Sequence, residues 1–278
     1  MDGTSIRLCA IASGSAGNLS ALLVETPSSS DVFLIDAGIP PRRAFADFRL
    51  VGIDPALIRG VLVTHLDRDH WHPGWIHKLP EGAFIAMHER HARSGRRAGL
   101  VPSSVTAIHG PFPLREHATA TSISLSHDEH GVSAFRLDFA HASLGFATDL
   151  GRVTDDLVDL FTGVDVLAIE SNYCRRLQAA SRRPDYLKRR IMGGSGHLSN
   201  DECARAVERI APRKHVVFLH LSRECNDPAL VRALHEGADY EFTIASQDRP
   251  SRWVRIEGDP ARPARAAPAQ ASLFAPAP

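Results

Sequence analysis

Residues Val61 to Trp75 read VLVTHLDRDHWHPGW: an aliphatic run, then three histidines and two aspartates. The apolar part has the length and β-branched content of a buried strand. His65, Asp67, Asp69 and His70 therefore sit where a strand emerges from the core. Imidazole nitrogen and carboxylate oxygen are the donors that borderline-to-hard divalent metals take, and strand ends can bring them together without distorting the interior. Taken alone, the heptapeptide fits a charged surface loop as well as a metal site.

The rest of the chain removes that ambiguity. SLSHDEHG places His127 and His130 after a strand-like run, FATDLG does the same for Asp149, and VVFLHLS for His220. One polar residue at a core edge is ordinary; four such clusters, each at the end of a strand, point to convergence on metal. Further strands are expected at IRLCAIASG, LSALLVET, VFLIDAG, GAFIAM, TSISLS and VSAFRLDF. Helices are expected from about Arg42 to Val51 and near Asp155–Phe161, Asp201–Ile210 and Pro228–Glu236. Strands feeding helices argue a layered α/β domain.

Composition narrows the function classes. The chain has 278 residues, with 32 acidic and 32 basic side chains, so net charge points to no nucleic-acid partner and only local clusters can. The four cysteines show no C-x-x-C spacing. With no signal-peptide pattern they read as reduced thiols of a cytoplasmic protein. No apolar run approaches a membrane span. From Gly258 onward the chain is rich in Pro and Ala and is expected to be disordered, giving a domain over 1–257 and a tail over 258–278.

GSAGN, FLIDAG, THLDRDH, SHDEHG, ATDLG, IESN, GHLSN and HLSRECNDP, in this order, resemble the metallo-β-lactamase fold of binuclear hydrolases. They resemble in particular its YycJ-type (WalJ) group of DNA-processing relatives of RNase Z and RNase J. The resemblance implies an αββα sandwich, two mixed sheets with helices on the outer faces. It implies two divalent ions, zinc or manganese. One would be held by His65, Asp67 and His127, the other by Asp69, His70 and His220, with Asp149 bridging. Asp67 stands where the family usually has histidine; a harder oxygen ligand there favours manganese over zinc. His72 and His77 match no ligand position and read as helix surface.

The implied activity is 5′-end-directed DNA exonuclease action in repair or replication, a bridging hydroxide attacking the phosphodiester. Two metals in such a site clamp the attacking and leaving oxygens. Asp69 and His197 are the expected catalytic residues, His197 as general acid. Asp36 and Glu170 are expected to orient metal-site histidines, and Ser13–Asn18 to form a turn near the floor of the site. Seven basic residues against one acid between Arg175 and Arg190 suggest a phosphate track, with Arg182, Arg183, Lys188 and Arg189 as its contacts. Ser222 and Asn226 could donate to a phosphate. In the tail, Gln270, Ser272, Leu273 and Phe274 form a QASLF segment resembling the peptides that dock on the bacterial β sliding clamp. Two alternatives remain open: a small-molecule hydrolase of the same fold (lactonase or cyclic phosphodiesterase), and a non-catalytic DNA or clamp adaptor.

Overall fold

The turn at Ser13–Asn18 folds the first two apolar runs into a hairpin, and the first sheet grows from it. Its strands are β1 (Ser5–Ala12), β2 (Leu19–Glu25), β3 (Ser30–Ile35), β4 (Ile58–Val63), β5 (Phe84–His88) and β6 (Thr106–Ile108). The second sheet holds β7 (Phe112–Leu114), β8 (Ala118–Leu125), β9 (Val132–Phe139), β10 (Ser143–Ala147), β11 (Val166–Glu170), β12 (His215–Leu219) and β13 (Glu241–Ile244). The chain then returns to the first sheet as β14 (Val254–Arg255) beside β1. Each sheet has seven strands, in the orders β14-β1-β2-β3-β4-β5-β6 and β13-β12-β11-β10-β9-β8-β7. This computed structural model describes residues 3–126 and 131–261. His127, His130 and the QASLF segment lie outside them.

Both sheets are mixed. β3 to β6 run parallel, as do β10 to β13. Between the sheets the core is filled by Leu22, Phe33, Leu62, Phe135, Leu144, Phe146 and their neighbours. On the outer side of the first sheet, α1 (Pro41–Val51) buries Ala44 and Phe48, and α2 (Glu89–Arg97) buries Ala92. On the outer side of the second, α3 (Asp155–Phe161) supplies Leu157, Val158, Leu160 and Phe161. Two short helices follow, α4 (Arg175–Ala180) and α5 (Asp185–Arg190). Then α6 (Asn200–Ile210) adds Cys203, Ala206, Val207 and Ile210, and α7 (Pro228–Leu234) adds Val231. The layers are therefore helix, sheet, sheet, helix, as the resemblance implies. Fully burying a Leu, Ile or Phe side chain is worth about 1.5–3 kcal/mol, so three such layers of apolar contact dominate the cohesion of the fold.

Ser199 caps α6 in a capping box with Glu202, which stops the helix from consuming the residue that precedes Leu198, His197. His72 is not a helix-surface residue: its imidazole accepts the Gly74 N–H (3.1 Å) and caps the short 3-10 turn Pro73–His77. His77 is exposed on that turn. Among the described residues no helix is long and apolar enough to cross a membrane.

Candidate metal centre

A parallel sheet offers its side chains to ligands beyond the carboxyl ends of its strands. Here both sheets point those ends the same way. Asp36 follows β3, His65 lies just past β4, Asp149 past β10, and His220 follows β12, while Glu170 ends β11. Asp36, Asp149 and His220 have φ of 57°, 53° and 55°. Left-handed backbone disfavours residues other than glycine by about 1–3 kcal/mol, although aspartate and histidine visit it more readily than most. Three such residues at one end of the sandwich turn the chain sharply there and aim their side chains at a common centre.

The ring nitrogens are oriented by a surrounding layer of partners. His70, fully buried, donates Nδ1–H to Asp36 Oδ2 (2.7 Å), which turns its Nε2 toward Asp149 Oδ2 at 2.8 Å. Asp36 is itself fixed by the Thr64 backbone N–H (2.8 Å) and hydroxyl (2.9 Å). His65 brings its Nε2 to 3.3 Å from Asp149 Oδ2 and 3.8 Å from Asp67 Oδ2. His220 Nδ1 pairs with Asp149 Oδ1 and lies 3.2 Å from Glu170 Oε1, while its Nε2 is 3.5 Å from Asp69 Oδ2. Asp149 thus touches both histidine groups. Asp67 and Asp69 sit at the mouth, with side chains 48% and 26% exposed.

Four donor groups, from Asp69, His70, Asp149 and His220, lie within 4.8 Å of one another, and so do those of Asp149, Glu170, His197 and His220. The buried Nε2 of His220 has no hydrogen-bond partner among the described residues. Electrostatics agree with a cation site. Burial alone would suppress protonation of His70 and His220, but the carboxylates around them (Asp149 first) outweigh it and hold both well above the ordinary imidazole range. Burial would likewise raise Asp149, yet His220 and His70 hold it well below the carboxylate range. A pocket that draws protons onto buried histidines has the potential and the ligand set of a divalent-metal site, and the residues fit one.

Glu170 anchors a second unit. Its Oε1 accepts from His197 Nδ1 at 2.7 Å, and its Oε2 accepts the Leu150 N–H at 2.8 Å. Burial lowers the His197 pKa, but the charges of Glu170 and Asp149 push it up to about 9. His197 is 23% exposed beside Asp149, with its Nδ1 3.5 Å from Asp149 Oδ1.

The turn Ser13–Asn18 lies at the floor of the site as expected, but the contacts made by Ser13 and Asn18, and the role of Gly38, escape the sequence reading. Ser13 Oγ accepts the His220 N–H (2.8 Å), pinning the strained backbone there. Asn18 Nδ2 reaches His70 Nε2 (2.9 Å) and the Asp69 carbonyl (3.2 Å). Gly38 passes so close that a Cβ would lie 1.8 Å from the Asp69 carbonyl oxygen. Only the turn chemistry of SGSAGN hints at the first two, and nothing local marks the third.

The expected substrate contacts are placed differently. Asn226 spends its amide N–H groups on the carbonyls of Ser171 and Asn172 and on Asn200 Oδ1, each at 2.9 Å, so it ties loops together instead of offering donors to a phosphate. Buried Ser222 accepts the Cys225 N–H (3.1 Å) and an Arg183 N–H (3.4 Å). Arg183 is held by Glu224 (2.8 Å), and Lys188 donates to the Ala179 carbonyl (2.8 Å). Of the four contacts expected on the track, Arg182 and Arg189 are exposed, as are Arg175, Arg176 and Arg190 in the same run.

If Asp36 orients His70, Asp36→Ala will weaken metal binding by about 10–100-fold while leaving the fold intact. Competition against a chromogenic chelator measures this; unchanged affinity would assign the orientation to Asn18 instead.

Strand-end histidines and aspartates converging between two mixed sheets under outer helices define a hydrolase of the metallo-β-lactamase fold. Residues 32–221 match the Beta-lactamase superfamily domain, and the chain belongs to that family. It is 26% identical over 232 residues to exodeoxyribonuclease YycJ of Bacillus anthracis, covering 82% of this chain and 86% of that protein. To exodeoxyribonuclease WalJ of Streptococcus pneumoniae it is 27% identical over 233 residues, covering 81% and 85%. Among solved structures, the metallo-β-lactamase fold protein YhfI from Bacillus subtilis superposes with a TM-score of 0.64 at 17% identity, covering 90% of this chain and 99% of that one.

Proposed function

We propose that the protein is a binuclear metal-dependent phosphodiesterase that degrades DNA from a 5′ end in repair or replication. The observation that carries the reading is Asp149, in contact with His65 and His70 on one side and His220 on the other, with the Glu170–His197 pair alongside. The similarity to proteins named exodeoxyribonucleases supplies the substrate class.

One ion would be held by His65, Asp67 and His127, the other by Asp69, His70 and His220, with Asp149 shared. Bound there, divalent ions supply a nucleophile at neutral pH and neutralise charge on the phosphoryl oxygens. The chain's own groups do the rest. Asp36 and Thr64 hold the imidazoles that face the centre. Asp69, at the mouth, keeps a carboxylate beside the attacked phosphate and accepts a proton from the nucleophile. Glu170 holds His197 by Nδ1, so His197 delivers a proton from Nε2 to the leaving oxygen. Asp67, with its harder oxygen, favours manganese.

The tail over 258–278 complements this reading. A segment bearing Leu273 and Phe274, with Gln270 and Ser272 for polar register, fits docking on a sliding clamp, which would place the protein's action in the cytoplasm.

The test is degradation of 5′-labelled duplex DNA, single-stranded DNA and RNA with manganese, zinc or EDTA, beside a His70→Ala control. Manganese-dependent loss of DNA from the 5′ end, abolished in the control, is expected. No cleavage of any nucleic acid by metal-loaded protein would transfer the assignment to a small ester or cyclic phosphodiester.

A further inference from the structure

The two sheets end in edges that face each other without pairing. β13 closes the second sheet, β14 closes the first, and the chain crosses from one to the other through residues 245–253. Between this crossing and the loop that follows His220 lies a cleft of about 800 Å³.

The cleft shares a wall with the floor of the metal centre. Ser13 lines it and takes the His220 N–H. Gln247, also in the lining, accepts the Ala16 N–H (2.7 Å) and donates to the Gly17 carbonyl (2.8 Å). It thereby holds the turn that presents Asn18 to His70. One end of the cleft therefore abuts the centre, and the other opens along the seam of the sandwich.

Its charge is one-sided. Arg223, Arg232, Arg249 and Arg252 line it, with Asp248 as their single acidic neighbour in the lining. Asp248 is engaged by Arg223. Arg249 and Arg252 form no ion pair among the described residues. Arg232 lies over Phe242, 5.7 Å from the ring centroid, and Phe242 lines the same cleft. Past Thr243 and Arg252 the seam continues as a groove of about 610 Å³, where Asp239, Glu241 and Glu257 offset the basic residues. The excess of positive charge is greatest in the part beside the metal centre, four arginines to one acid against four basic residues to three acids in the outer groove.

We propose that this cleft carries a single nucleic-acid strand to or from the centre, with Arg249 and Arg252 on its phosphates and the Arg232 guanidinium, backed by Phe242, against a base. This rests on the phosphodiesterase reading above and gives it a strand path. Guanidinium forks match phosphate oxygens, and a guanidinium plane backed by an aromatic ring accepts any unstacked base. A duplex keeps its bases stacked inside and has none to offer such a platform. None of the basic run from Arg175 to Arg190 lines the cleft, and Arg175, Arg183 and Lys188 within it are tied to the protein itself.

The test uses the metal-loaded full chain and a fluorescent phosphorothioate single strand, with binding followed by anisotropy over a range of salt. Arg249→Ala/Arg252→Ala is expected to weaken binding at least tenfold and to flatten the slope of log K against log salt by about 1.4, from about 0.7 per phosphate contact on single strands. Arg205→Ala/Arg209→Ala, an equal loss of charge on the exposed side of α6, is expected to change neither, and melting temperatures check the folding of all variants. Equal binding and an equal slope in the double variant would remove the strand path while leaving the phosphodiesterase reading intact. An equal loss on blunt duplex would overturn the single-strand assignment. Wild-type protein that binds neither nucleic acid would take the phosphodiesterase reading down with it.

Discussion

Asp149→Asn will leave a folded protein that binds at most one divalent ion and has lost activity by roughly a thousandfold or more, the several kcal/mol of transition-state stabilisation that a metal centre supplies. The carboxylate is buried and meets His65 and His70 through one oxygen and His220 through the other. Asparagine keeps the shape and tolerates the left-handed backbone at φ 53°, so the substitution isolates charge from geometry. What disappears is the anion that would let two dications sit close together, and a neutral amide cannot replace it. Metal per chain by plasma mass spectrometry, with circular dichroism as the folding control, reads the result. Two ions retained with near-normal turnover would mean that Asp149 serves the histidines and not the metals.

His197→Ala will do something different: turnover falls by about a hundred- to ten-thousandfold, the range of general acid catalysis, with metal content unchanged. The diagnostic is the leaving group. A sugar oxygen needs a proton as it departs, whereas p-nitrophenolate does not. Turnover of a p-nitrophenyl phosphodiester should therefore fall far less than turnover of DNA. Glu170→Gln should reproduce the same pattern more weakly, because it removes the carboxylate that holds Nδ1 at 2.7 Å. Equal losses on both substrates would assign His197 to metal binding, in keeping with its place among the donor groups around Asp149 and Glu170.

The parts of this protein that could be read in advance are those where local chemistry and long-range placement coincide. Apolar runs such as VLVT and VVFL announce buried strands, and the polar residue that ends each run announces the open end of a sheet. Asp36 and Glu170 were legible as supports for the same reason. α2 was not, because its sequence ERHARSGRR buries only His91, Ala92 and Gly95 and otherwise looks like solvated charge. The short edge strands β13 and β14 carry too few residues for a period to show. Asn226 illustrates a different limit. Its place in a motif gives its neighbourhood, but only the folded loops reveal that Ser171, Asn172 and Asn200 already occupy its amide. The seam cleft was invisible too, since Arg223, Arg232, Arg249 and Arg252 are scattered along the chain and meet only when two sheet edges approach.

The candidate ligand groups come from both halves of the sandwich: His65, Asp69 and His70 from the first sheet's loops, Asp149 and His220 from the second's. At that rim the layers are otherwise joined by contacts such as the Ser133 N–H to the Thr64 carbonyl (2.9 Å). An ion bound there acts as a rivet across the seam. Its affinity is then also mechanical cohesion, by the ordinary linkage between ligand binding and unfolding. Stripped of metal, the chain would begin to part like a book opening at its fore-edge, each sheet intact as a cover while the rim between them loosens.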